Sequence, residues 1–412
     1  MTASTPPIPP AGPATREEWA GTRAVIGLFI VFNVVSLIYS LVTDEYNGDF
    51  YGVPVRMSTL ALFGMFVLTT LPFLVLARLG RRFDRTRPLL AVSTAMGFLK
   101  VFVPLTLALQ AFVTWRYGVG IIGGDPYEVG GPMKILVLLL NRFQPFYLGA
   151  LLIVMLPRGS WKLEWTTILL MVVVGLLRAG IGVFLYLVII FVLKYFNDVV
   201  AFVRRRKLAT LAVLLAAPFL IATLYQWRNT LRETEFSEEK TIAAIAAGLF
   251  TGRMSSLTNT AVIYENSAHF SVASKELVPS YYYLQTLSTF LGAGFNPPQT
   301  PQLMLINMNG EGIENFSYMT GSVGELMIAN HVSWLVAAAN LAAALLVTAS
   351  TLWLARQFDS PKVVRLAVGL LAYPIMSGVP SEMSGVLYFF VVMTMLMMTV
   401  AVFIPKSARG PR

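Results

Sequence analysis

The chain has no cysteine. That excludes a disulfide framework, thiolate catalysis and a zinc–thiolate centre. Histidine is almost as scarce, with only His269 and His331, far apart in sequence. A histidine-based metal site would need several carboxylates to complete it. Charge is scarce as well. Only 13% of the 412 residues are charged, where a soluble domain carries about a quarter. A soluble globular class is excluded, and a polytopic membrane protein fits. No HExxH, GxSxG or Gly-rich phosphate loop occurs where it could work. Nothing resembles a cytoplasmic nucleotide-sugar domain, so any glycosyl donor would be lipid-linked and on the outer side. No internal repeat is visible, which argues against an inverted-repeat transporter.

What is there is apolar sequence. Runs fall near 24–42, 58–77, 89–113, 133–156, 165–177, 179–196, 208–224, 324–354, 363–379 and 384–404. Crossing about 30 Å of hydrocarbon takes about 20 such residues. The expected fold is all-α, an integral membrane protein of about ten transmembrane helices. Residues 1–23 read as a disordered tail and 405–412 as a second tail. Seven crossings fill 24–224, and three fill 323–404. A large external loop, 225–322, lies between them. Within it, 238–254 has apolar residues at helical spacing, and 277–291 is aromatic enough to lie at the interface or re-enter it.

Lys and Arg orient the chain. Five arginines sit in 78–88 and five basic residues in 194–207. Smaller groups at 158–162, 356–365 and 406–412 fall on the same side. By the positive-inside rule both termini are expected to be cytoplasmic and 225–322 external. The net charge of +10 then faces cytosol and anionic lipid, and nucleic acid is not a partner.

The chemistry-bearing residues collect on the outer side. Arg228, Arg232 and Arg253 lie beside helix ends. Arg178 sits at the tip of a short hairpin, and Arg142 lies about 13 Å deep along its run. A guanidinium fork suits phosphate oxygens bidentately, so these five are candidate pyrophosphate ligands. Snorkelling or pairing with helix-end carbonyls is the bland alternative. Lys100, mid-run, is read as buried and paired or as lining a cavity. Glu325, Glu382 and His269 are the candidate general bases, and Glu325 stands out as partly desolvated where GSVGELMIAN enters the membrane. Glu265, Glu276, Glu311 and Glu314 are the other external candidates for the base. The tyrosine triplet containing Tyr282 could stack on sugars.

Four features resemble the Wzy-type O-antigen (oligosaccharide repeat unit) polymerases, a group related to the O-antigen ligases. They are the hairpin around LLRAGIGVFLYLVIIF at Arg178, the external YQWRNTLR, the loop sequence GRMSSL at Arg253, and GSVGELMIAN with Gly324, Glu325 and Asn330. The resemblance spans about 130–355, with Asn330-His331-Val332 where the family usually ends Asn-Phe-Gly. It implies a GT-C-like, metal-independent, inverting glycosyltransferase without a cofactor. Such an enzyme moves a growing glycan from undecaprenyl pyrophosphate to a lipid-linked repeat unit. A chain-length regulator would be a further partner, and Asn330 would join the substrate-binding residues. No His-Asn-x-x-Leu stretch of the ligase kind is present. A ligase, and a transporter or flippase of lipid-linked oligosaccharide, stand as alternatives.

Overall fold

A chain that is apolar on every face satisfies its backbone in lipid by closing hydrogen bonds within helices. The computed structural model follows that rule. It describes residues 19–84, 92–121, 129–178, 180, 182–231, 254–292, 295–308 and 319–403. Among these there is no strand, only one isolated bridge between Glu45 and Pro54.

The helices in chain order are α1 (Ala20–Thr43), α2 (Thr59–Phe83), α3 (Val92–Tyr117), α4 (Pro132–Leu140) and α5 (Pro145–Met155). Next come α6 (Trp161–Leu177), α7 (Gly182–Arg205) and α8 (Lys207–Leu231). Four short helices follow: α9 (Ser256–Glu265), α10 (Ser267–Ala273), α11 (Tyr281–Leu291) and α12 (Pro301–Met308). The last are α13 (Ser322–Val332), α14 (Trp334–Ala355), α15 (Pro361–Ser377) and α16 (Pro380–Phe403).

Seven of these are long and apolar enough to cross a membrane: α1, α2, α3, α7, α8, α14 and α16. The pair α4 and α5, bent by 55°, makes an eighth if counted as one span. The chain is therefore an all-α protein with the features of a polytopic membrane protein. Large apolar side chains such as Leu60, Val101 and Ile135 lie exposed on these helices, which suits a lipid-facing surface. The core gathers around α15, buried along nearly its whole length. There α1, α2, α5 and α7 close on it.

One end of the bundle is tied by ionic contacts. Asp84, at the C-cap of α2, accepts from Trp19 Nε1 at 2.9 Å and pairs with Arg365 Nε at 3.4 Å. Lys194 on α7 pairs with Glu164 on α6 at 2.6 Å, both side chains 4% exposed.

The elbow between α4 and α5 frees backbone carbonyls that lipid cannot satisfy. Gln110 on α3 meets two of them, donating Nε2 to Leu140 O at 2.8 Å and to Phe143 O at 2.6 Å. Pro145 opens α5, and the Gln144 side chain caps it at Phe146 N. Gln110→Leu should therefore lower stability by about 1–3 kcal/mol. Unfolding of the purified protein in detergent would measure it, and an unchanged midpoint would mean that the elbow does not rely on Gln110.

Four features differ from the sequence reading. Trp19 is buried and α1 begins at Ala20, so helix starts inside the expected tail, whose residues 1–18 lie outside the described residues. Helix α8 runs to Leu231, past the expected boundary at 225. The run 324–354 is broken at Ser333, whose extended backbone ends α13 and whose hydroxyl caps α14 at Val336 N. Lys100 lies exposed on α3 instead of buried. The expected helix at 238–254 and the tail at 405–412 fall almost wholly outside the described residues.

The segment expected to stand outside also contributes to the bundle. Every residue from Ser256 to Ile263 of α9 is buried. Its start meets α1 halfway along, where Asn33 Oδ1 accepts from Ser255 Oγ (3.0 Å) and Ser256 N (3.2 Å). Its end meets the α1–α2 connection, where Glu265 Oε1 accepts from Tyr46 Oη, Arg56 N and Met57 N at 2.9, 2.7 and 2.6 Å. Burial and this carboxylate push the Tyr46 phenol up. Helix α13 lies beside α9 and runs the same way: Gly321 abuts Ser256 and Thr260, and Gly324 abuts Thr260 and Ile263.

Candidate functional site

Two glycines set the site. Gly321 precedes α13 and Gly378 follows α15, both with positive φ (70° and 72°). A Cβ on Gly378 would stand 2.4 Å from the Gly321 carbonyl carbon and oxygen. The two backbones thus cross in direct contact. Gly321 N donates to Ser377 O at 3.0 Å, and Ser322 Oγ donates to Ile375 O at 2.7 Å. This crossing fixes the first turn of α13, which carries Glu325.

Glu325 lines a cavity of about 430 Å³ between α2, α13, α14 and the α15–α16 turn. The walls are almost wholly apolar, with Leu71, Val75, Leu341, Leu345 and Met383 among them. Leu71 is 51% and Leu341 46% exposed, so the cavity opens sideways between α2 and α14. Glu325 is the one charged residue among its described lining.

Glu325 itself is 2% exposed, and neither carboxyl oxygen has a hydrogen-bond partner among the described residues. Helix α13 is too short to span a membrane and belongs to none of the candidate spans. Burial pushes the Glu325 carboxyl up to about 8. The polar groups of Tyr281, Thr320 and Gln302 counter part of that rise, although they do not reach hydrogen-bonding geometry. Tyr281, fully buried on α11, accepts from Asn340 Nδ2 at 3.0 Å. Tyr282 lines the cavity with its hydroxyl 4.0 Å from Met383 Sδ. Burial and the Glu325 charge push both phenols up.

Glu382 does not line this cavity. It accepts from the Ser377 hydroxyl and lies within electrostatic reach of the Tyr147 and Tyr186 hydroxyls, themselves 3.4 Å apart. The α15–α16 turn thus carries one acid nearby on each side. His269 is exposed on α10, edge-on to Phe270. Asn330 is exposed on α13. Neither lines the cavity.

The arginines are spread out. Arg142, exposed at the α4–α5 elbow, donates Nη1 to Phe290 O and Tyr388 Oη, both at 3.4 Å. Arg178 caps α6 and donates Nε to Thr114 Oγ1 at 3.4 Å, with Gly120 packed against its side chain. Arg228 belongs to the last turn of α8, and its side chain is outside the described set. Arg232 and Arg253 lie outside the described residues altogether.

Sequence reasoning named Tyr281 only as part of the tyrosine triplet, and missed Asn340 and the Gly321–Gly378 crossing. Asn340 carried a signal, as a polar amide inside an apolar run. Glu265, considered as a base, is instead held by three donors.

Among the described residues no three His, Asp or Glu side chains come together in a way that could hold a metal ion. No family model, curated protein or solved structure matches the chain. An acid with no hydrogen-bond partner, at the end of an apolar slot, can take up and release a proton beside a molecule that is partly lipid.

Proposed function

We propose that the chain is a polysaccharide polymerase of the O-antigen type. It would transfer a growing glycan from undecaprenyl pyrophosphate onto a lipid-linked repeat unit. The observation that carries this reading is the sideways-open apolar cavity with Glu325 as the one charged residue among its described lining. A polyprenyl chain is apolar and arrives from the bilayer, so it suits such a slot. Glu325 then serves as the base that takes the acceptor hydroxyl proton. Arg142 and Arg178, with Arg228, Arg232 and Arg253, stabilise the departing pyrophosphate. Glu382 and His269 are the other candidate bases. Tyr282 and Asn330 contact the glycan or the lipid. No metal or cofactor takes part.

In this reading the bundle has ten crossings. Helices α6 and α15, at 17 residues each, join the seven longer spans and the α4–α5 pair. Both termini are cytoplasmic, the membrane is the bacterial inner membrane, and the site faces the periplasm. A chain-length regulator is a further partner.

One observation favours a second reading. Helices α9 and α13 are short, lie within the bundle, and start side by side. Broken helices with inward N-termini are a transporter device, so movement of a lipid-linked oligosaccharide is the alternative. Purified protein given lipid-linked repeat units in chelator decides between them. A ladder of lengthening chains is expected. Transfer only to a different added acceptor would make it a ligase. Passage of lipid-linked sugar across proteoliposomes, with no new bond, would establish the transporter.

A further inference from the structure

Helix α7 changes direction at Tyr195, whose backbone is non-helical (φ −119°, ψ 21°). The bend is held in place. Lys194 is paired with buried Glu164 and also donates to Ile153 O at 2.6 Å. The Tyr195 hydroxyl donates to the same carboxylate, and its ring stacks on Trp161. The bend lies at the end of the bundle. Gly21, in the first turn of α1, packs so closely on α7 that a Cβ there would stand 2.7 Å from Val192 O.

Beyond the bend, residues 196–205 form an arm about 15 Å long. It belongs to the 24 residues of α7 but lies past the apolar run 179–196, which is then the crossing itself. Val199, Phe202 and Val203, at i, i+3 and i+4, are 40, 50 and 41% exposed. They make one apolar stripe that no described residue covers. Arg204, Arg205, Arg206 and Lys207 follow directly, all exposed. The one acid on the arm, Asp198, is paired with Arg158 at 3.4 Å and sits six residues back from that basic cluster.

We propose that this arm is an interfacial anchor whose partner is the anionic phospholipid surface of one leaflet. The stripe enters the acyl boundary, and the four basic residues take the headgroup phosphates. The charge complementarity selects anionic lipid over zwitterionic lipid or a second protein. The rigid bend orients the arm in advance, so little ordering cost is left to binding. The inference is independent of the reaction proposed above.

The test uses the full chain, which has no native cysteine to interfere. Val199→Cys and, on the opposite face, Asn197→Cys are each labelled with a polarity-sensitive fluorophore. Each is reconstituted in phosphatidylcholine vesicles with and without phosphatidylglycerol. Quenching by lipid-borne nitroxide is expected at 199 and not at 197, and it should strengthen with phosphatidylglycerol. Arg204→Gln/Arg205→Gln/Arg206→Gln/Lys207→Gln, all surface changes, should remove that dependence and weaken retention of phosphatidylglycerol about tenfold or more. Equal quenching on both faces, or quenching at 199 indifferent to lipid charge, would overturn the proposal. A label at 199 shielded from nitroxide in every vesicle would point instead to a protein partner.

Discussion

Glu325→Gln is expected to abolish glycan lengthening, a fall of about a hundredfold or more, because the amide cannot accept the acceptor proton. The substitution keeps size and shape, so the cavity should survive. Glu382→Gln and His269→Gln, assayed in parallel, decide the assignment. If Glu325→Gln lengthens chains normally while either of the others does not, Glu325 is not the base. The pH profile supplies a second readout. A base must be deprotonated to act, so wild-type kcat/KM should rise with pH through about 8 and then level off. A profile already flat from pH 6 would contradict that protonation state.

Stability should carry the mark of the same group. The folded carboxyl holds its proton to about 8, against an ordinary value of 4.5. The folded state therefore binds more protons than the unfolded chain in that window. This contribution is full below 4.5 and is lost as pH rises through about 8. Glu325→Gln removes the slope, so the variant should be at least as stable as wild type above pH 8. A variant that is inactive yet more stable at alkaline pH would separate a functional role from a structural one.

Much of the helical layout was readable, since each apolar run in 24–404 carries helix in the structure. The run length reports how much chain can sit in hydrocarbon. It does not report which face turns inward, because lipid and core are both apolar. Lys100 was misplaced for that reason. The break at Ser333 was hidden inside a long run, although Ser333 is a serviceable N-cap. Helix α9 reads as water-facing from the polarity of SLTNT, yet Ser256–Ile263 are buried. In the fold those groups are largely satisfied by other chain elements, as Thr258 is by Asn47 and Asn259 by Asp49. Composition cannot distinguish polarity met by water from polarity met by protein. Glu325 was legible from its place in GSVGELMIAN. Its surroundings were not, because Tyr281, Asn340 and Gly378 reach it from other helices.

Gly378→Ala should be the most damaging single change for the fold. The residue sits at φ +72°, a conformation that L side chains rarely adopt. Its Cβ would meet backbone atoms of Gly321, not the end of a side chain that could swing aside. Left-handed strain and overpacking together should lower stability by about 2–5 kcal/mol. The damage should reach the cavity, because the crossing holds both the first turn of α13 and the turn into α16. Gly385→Ala is the control. It lies seven residues further along, inside α16, where a Cβ meets nothing within 4 Å. There alanine should raise stability by about 0.5–1 kcal/mol, since glycine disfavours a helix interior. Unfolding midpoints of the two variants in detergent would give the comparison. Equal stability would mean that the backbones do not cross at Gly321 and Gly378, and Glu325 would lose its fixed position with them.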